Sequence, residues 1–288
     1  MLDEITRFVN WVRRRNPQAH TWQDYRCDLQ QFVTVVGDKP PAEIQITDID
    51  DFINEQNKRG LHPATINRRL AAVTSLYTFL QAEEPELLCP VLPQRHSLRT
   101  PRRLPRAVPE TDLHAFFEVI EAVRDQAIFL LMLRCGLRIS EVAGLQLQDL
   151  YLNEAQPRLQ IMGKNSKERS VYLSNQAETA LRRYLDERAE VACGAVFLNY
   201  RHQPLAPIGI QKRLERYRQL AGIHITAHQL RHNFANDLVC ADVPVTSIQQ
   251  LMGHAWIATT ETYLAANNPK VKADFYAAVE QLVGWQHG

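Results

Sequence analysis

Residues 86–107 divide the chain. The stretch holds four prolines and five arginines against one glutamate, and its apolar residues keep no helical period. Each proline fixes φ and removes a backbone donor, so a continuous helix or a central strand is excluded there. The composition predicts a linker, with a helical domain over 1–85 before it and a larger domain over 108–288 after it. A chain of 288 residues gives each part enough length to bury its own core.

The first part reads as helices throughout. Ile5, Phe8, Val9 and Val12 share a helical face, as do Trp22, Tyr25, Leu29, Phe32, Val33 and Val36. Gly37 supplies a stop and Lys39-Pro40-Pro41 a turn. Thr47 is the expected cap of a third helix bearing Ile49, Phe52 and Ile53, with Asp50 in capping-box spacing. Pro63 starts a fourth, with Ile66, Leu70, Val73, Leu76, Tyr77 and Leu80 on its apolar face and Arg68 and Arg69 near its start.

The second part mixes periods. Thr111 is the expected cap of a helix through Leu113, Phe116, Phe117 and Ile120, and a strongly apolar helix runs from Ala127 to Arg134. Gly136 closes the apolar helix, and Ser140 is the expected cap of the next. Residues 158–162 and 169–173 alternate apolar and polar side chains, predicting two strands joined across 163–167, with a third strand at 149–152. Helices are expected at 175–191, 207–221, 228–241, 244–252 and 257–264, and a last amphipathic one at 270–284. The fold class is therefore mainly α with a small β-sheet, α+β.

Several function classes fall away. No apolar run reaches the roughly 18 residues of a membrane span. The beginning of the chain, with acids first and no apolar core, is not the pattern of a signal peptide. Five scattered cysteines without a CxxC pair indicate neither a disulfide framework nor a zinc knuckle, and fit a reducing cytoplasm. Gly163-Lys164 is not a P-loop, because Arg158 stands where the first glycine is required. His228 and His232 have the spacing of a metalloprotease pair, but Gln229 replaces the base, so no metal site is expected. The net charge is +1, with 10 basic and 12 acidic groups over 1–85 and 18 basic and 19 acidic groups over 108–288, so the positive excess lies in the connector. A partner rich in phosphate would have to be met by charge gathered on one face of each domain.

The residues that carry chemistry lie in the second part. Arg138 follows Gly136-Leu137; His228 and Arg231 are one helical turn apart; Gly253-His254 follows, and Tyr263 stands nine residues on. Arginine pairs phosphate oxygens through a planar fork that stays charged. A phenol attacks phosphorus once nearby cations favour phenolate or an imidazole accepts its proton. Lys164, on the expected hairpin turn, supplies an ammonium able to protonate a leaving oxygen. Two arginines, a lysine, two histidines and a tyrosine are a set able to break a phosphodiester covalently and without metal.

In order and spacing this set resembles the tyrosine recombinases, the phage-integrase and Xer type. Gly136 to Glu141 match the setting of the family's first arginine, and Gly163 to Arg169 the hairpin run of its lysine, which places that role on Lys164 rather than Lys167. His228 to His232 match the His-x-x-Arg-His box, Leu251 to His254 the Leu-Leu-Gly-His box with Met252 for the second leucine, and Thr259 to Tyr263 the tyrosine box. Leu264-Ala265 and Ala255-Trp256 depart from the residues usual in Xer proteins.

The resemblance implies catalytic roles for Arg138, Lys164, His228, Arg231, His254 and Tyr263, with Glu141 orienting the basic groups. It implies a core-binding domain over 1–85 and a catalytic domain over 108–288 that form a C-shaped clamp on double-stranded DNA at a short core site. Arg68, Arg69, Arg102 and Arg103 are the candidate DNA contacts. It further implies a homo- or hetero-tetramer with a related recombinase, a 3′-phosphotyrosyl intermediate, a Holliday junction, no cofactor, no membrane association, and a bacterial cytoplasmic, nucleoid-associated enzyme. A type IB topoisomerase shares the catalytic set but acts as a monomer. A DNA-binding accessory protein that has lost catalysis is the non-enzymatic alternative. The Xer-like first domain favours the recombinase over the former, and retention of every catalytic residue argues against the latter.

Overall fold

A computed structural model describes residues 1–15, 17, 21–100, 107–162 and 168–253. The expected hairpin turn, the helices at 257–264 and 270–284, and Arg102 and Arg103 lie outside the described residues. The chain divides into two compact units, Met1–Arg102 and Arg103–Gly288.

The first unit is helical: α1 (Leu2–Arg15), α2 (Thr21–Val36), α3 (Ile46–Lys58), α4 (Pro63–Leu80) and a single turn, α5 (Pro93–His96). Asp3 and Glu4 in the first turn of α1 and Arg13 to Arg15 in its last complement the helix dipole. Ile5 and Phe8 of α1, Leu29 and Phe32 of α2, Ile49 and Phe52 of α3, and Leu76 and Tyr77 of α4 form one buried core. The Phe32 and Phe52 rings meet edge to face at 5.2 Å, and the Tyr77 hydroxyl donates to the Pro41 carbonyl at 2.8 Å.

Two expectations change here. The cap of α3 is Gln45, not Thr47, and it is Asp48 that reaches back, accepting from the Gln45 N–H at 2.8 Å. Capping is decided by which residue leaves helical geometry first, and Ile46 already belongs to the helix. The proline-rich stretch also packs further than a free linker would. Leu87, Val91 and His96 are buried, and the Asn67 amide holds Leu98 on both sides, donating to its carbonyl at 2.8 Å and accepting from its N–H at 2.9 Å. Pro93 sits at the first helical position of α5, where a missing N–H costs nothing.

The second unit contains α6 (Glu110–Glu118), α7 (Val123–Arg134), α8 (Ile139–Gly144), a sheet of β1 (Leu150–Tyr151), β2 (Arg158–Met162) and β3 (Glu168–Tyr172), then α9 (Asn175–Glu187), α10 (Pro207–Leu220), α11 (Ala227–Cys240) and α12 (Val245–Met252). Helix α7 is its spine. Ala127, Ile128, Phe129, Leu131, Met132 and Leu133 are all buried, which is why the segment is apolar all round. The sheet is antiparallel in the order β1-β2-β3, with Leu159 paired to Val171 and Ile161 to Arg169. Leu159, Ile161 and Val171 point into the core.

The expected caps Thr111 and Ser140 both lie inside their helices; Pro109 and Arg138 hold the cap positions. Among the described residues no helix is long and apolar enough to cross a membrane. The described chain is mostly helical with one small antiparallel sheet, the expected α+β class.

Candidate active site

Two glycine turns bring the site together. Gly136 ends α7 with φ at +67°, and a Cβ there would stand 2.4 Å from the Phe234 ring, so α11 packs directly against the turn that precedes Arg138. Gly253 ends α12 with φ at +59°, its Cα side facing the Arg169 side chain, which a Cβ would meet at 3.1 Å.

Glu141 is the centre. Its carboxylate is buried and accepts from the Arg138 backbone N–H at 2.8 Å and from Arg138 Nη1 at 2.8 Å. From β3, Arg169 donates through both Nη atoms, one to each Glu141 oxygen, at 2.9 and 2.9 Å. Arg231 Nη1 stands 3.7 Å from Glu141 Oε2. Burial alone pushes the Glu141 carboxyl up, but the hydrogen bonds and charge of Arg169, with Arg138 behind it, hold it below the usual carboxylate range. Three guanidiniums against one carboxylate leave positive charge in excess, which favours an anion at this place.

The two arginines singled out in the sequence are thus brought together, but in different settings. Arg231 is buried on α11 and donates to the Gly136 and Met252 carbonyls, tying the two glycine turns to each other. The Arg138 side chain is 39% exposed and donates to the Gly253 carbonyl at 3.4 Å. The first is held by the fold, and the second is open to a ligand.

His228 lies on α11 one turn before Arg231. Burial lowers its pKa, and the charges of Arg231 and Arg138 lower it further, so the ring is neutral at pH 7. His232 meets it edge-on at 4.8 Å, and burial with His228 and Arg231 pushes its pKa down to about 4. Thr226 caps α11: its hydroxyl accepts from the Gln229 N–H at 3.2 Å, and the Gln229 side chain accepts from the Thr226 N–H at 2.9 Å, so both residues hold the start of the helix that carries His228 and Arg231.

Lys164, His254 and Tyr263 lie outside the described residues. Of the candidate DNA contacts, Arg68 and Arg69 both turn toward Asp28, a buried acid of α2 whose pKa burial raises despite them. The Arg68 side chain is 54% exposed, whereas that of Arg69 is 14% exposed and donates to the buried Gln56 side chain. Arg69 is accordingly part of the interior of the first unit.

Arg169 is a residue that sequence reasoning left without a role. A signal was present: it shares the inward face of its strand with Val171, opposite Ile161, where an arginine must have a partner.

Residues 106–270 match the phage integrase family, and residues 5–84 match the phage integrase N-terminal SAM-like domain. The tyrosine recombinase XerC of Thermodesulfovibrio yellowstonii is 30% identical over 280 residues, covering 90% of each chain. XerC of Roseiflexus sp. is 31% identical over 286 residues, covering 93% of this chain and 90% of the relative. Among solved structures, the fold is shared with XerH recombinase bound to a palindromic difH substrate (TM-score 0.75, 22% identity, 88% of this chain and 78% of that one). It is shared equally with a lambda integrase dimer bound to a core site (TM-score 0.75, 14% identity, 93% and 95%). The chain belongs to the phage integrase family and is a tyrosine recombinase, an enzyme that cleaves and rejoins DNA strands at specific sites.

Proposed function

We propose that Arg138 holds the non-bridging oxygens of a DNA phosphate, with Arg231 adding its positive charge from within the fold, while Tyr263 attacks it. The observation that carries the reading is the gathering of both guanidiniums on Glu141, which leaves excess positive charge beside the half-exposed Arg138. Such preorganised cations stabilise the charge that grows on the phosphoryl oxygens as the bond order changes.

The Tyr263 oxygen forms a bond to phosphorus and the bond from phosphorus to the 5′-oxygen breaks. Lys164 gives its proton to that leaving oxygen. The phenolic proton passes to an imidazole, for which His228 is suited because its lowered pKa keeps it neutral and able to accept. His254, next to Gly253 in sequence, supports the phosphate. The product is a 3′-phosphotyrosyl link that retains the energy needed for rejoining, and attack by another strand's 5′-hydroxyl runs the same steps backward. No metal ion, nucleotide or other cofactor enters the scheme.

The partner is double-stranded DNA carrying a short core site. Residues 1–85 bind that site and residues 108–288 carry the chemistry, with Arg68, Arg102 and Arg103 on phosphates. Arg69 supports the first unit from within. Two bound duplexes and four subunits, of one kind or of two related kinds, exchange strands through a Holliday junction. The likeness to a lambda integrase dimer bound to a core site and to XerH bound to a difH substrate supports this reading. The enzyme works in the bacterial cytoplasm, at the nucleoid.

A nicked duplex that loses its 5′ strand after cleavage traps the intermediate. Wild-type protein incubated with nicked duplexes from the source genome, in chelator, should yield a covalent adduct on a denaturing gel. Tyr263→Phe should yield none, and Arg138→Ala should lower the rate about 10³-fold or more. An adduct that persists in Tyr263→Phe would refute the nucleophile.

A further inference from the structure

Arg169 touches the machinery at more points than any role assigned above requires. Its side chain is 11% exposed, and all three guanidinium nitrogens are engaged. Nη1 and Nη2 each take one oxygen of Glu141 at 2.9 Å, and Nε donates to the Leu251 carbonyl at 3.1 Å. The next residues of that turn serve the two arginines: the Met252 carbonyl accepts from Arg231, and the Gly253 carbonyl accepts from Arg138 at 3.4 Å. Gly253 itself lies against the Arg169 side chain, with room for a hydrogen but not for an unstrained Cβ.

We propose that Arg169 is a positioning residue for strand cleavage: it locks the Glu141 carboxylate in one geometry, and through it fixes the guanidiniums of Arg138 and Arg231. The inference rests on the roles proposed for those two arginines. A fork–fork pair sets the plane of the carboxylate as well as its place. With Arg169 gone, Glu141 keeps, among the described residues, Arg138 and Arg231 as counter-charges, and its freed carboxylate is drawn onto them. Arg138, being the exposed one, follows it away from the phosphate. Lysine keeps the positive charge but offers one point contact where arginine offers three directed ones. A displacement of about 1 Å at a reacting group costs about 10²-fold in rate.

The test compares wild type, Arg169→Lys, Glu141→Gln and the double variant on the nicked duplex, at saturating DNA and in single turnover. DNA affinity and thermal melting are measured alongside. Arg169→Lys should cleave about 10²-fold more slowly, with DNA affinity within about twofold of wild type and the protein folded at the assay temperature. Because Arg169 acts through Glu141, the double variant should cleave within about threefold of Glu141→Gln alone. Cleavage by Arg169→Lys at the wild-type rate overturns the inference. So does a loss that follows only DNA affinity or the unfolded fraction, or one that multiplies with that of Glu141→Gln. In each of those cases a wild-type adduct leaves the reaction itself standing, whereas no adduct from wild type overturns both.

Discussion

Arg138 is bound to Glu141 twice, through its backbone N–H and through its side chain, each at 2.8 Å. The same carboxylate therefore starts helix α8 and orients a guanidinium. Folding and chemistry are coupled at one residue, and a change there should be read in both.

Glu141→Ala should destabilise the second unit by about 3–5 kcal/mol, the cost of removing one member of a buried ionic set. Urea unfolding of the second unit's transition measures it. Because the folded pKa lies below the unfolded one, the contribution of Glu141 is complete above about pH 4.3 and is lost as pH falls through the folded value. The gap between wild type and variant should therefore narrow only in acid.

His232 should titrate near 4, far below the roughly 6.5 of an unfolded chain. A folded pKa that is lowered for a histidine means that the unfolded chain binds the extra proton first. Stability is thus present above about pH 6.5 and drains away as pH falls toward the folded value. NMR titration of the ring, set beside unfolding curves over the same range, checks both the midpoint and the sign.

Gly136→Ala should be costly for two separable reasons. The left-handed backbone adds about 1–2 kcal/mol for any side chain. The new methyl would also press on the Phe234 ring, 2.4 Å away, and overpacking of that kind costs about 1–3 kcal/mol. Phe234→Ala in the same chain should relieve the second term and leave the first, which melting of the single and double variants resolves.

Much of this architecture was legible because it is periodic. The apolar faces of α1, α2 and α4 recur at helical spacing, the core of α7 is a continuous apolar run, and β2 and β3 alternate within a residue of their observed bounds. What was not legible is decided by single contacts. Thr47, Thr111 and Ser140 are good capping residues, yet Gln45, Pro109 and Arg138 hold the cap positions, each two residues earlier. The prolines of 86–107 hid the apolar pair Leu87 and Val91, and no local pattern announces that Asn67 will hold Leu98. At the site, Arg138, Arg231 and His228 could be picked by spacing. The contacts by which Arg169 reaches Glu141 and Leu251 could not, since they join a strand to helix ends far away in sequence.

Arg68 and Arg69 are neighbours that should fail differently. Arg68→Ala, at an exposed group, should weaken DNA binding and lower the slope of affinity against salt by about one counterion. Arg69→Ala should leave the salt slope unchanged and destabilise the first unit, since it strips Gln56 of its donor and Asp28 of a nearby buried counter-charge. Binding isotherms at several salt concentrations, with unfolding curves for each variant, separate the two.

The most direct measurement is to digest the trapped protein–DNA adduct and locate the modified residue by mass spectrometry. The assignment predicts a nucleotide joined through its 3′-phosphate to Tyr263 and to no other side chain. A link to a different residue, or one through a 5′-phosphate, would contradict it.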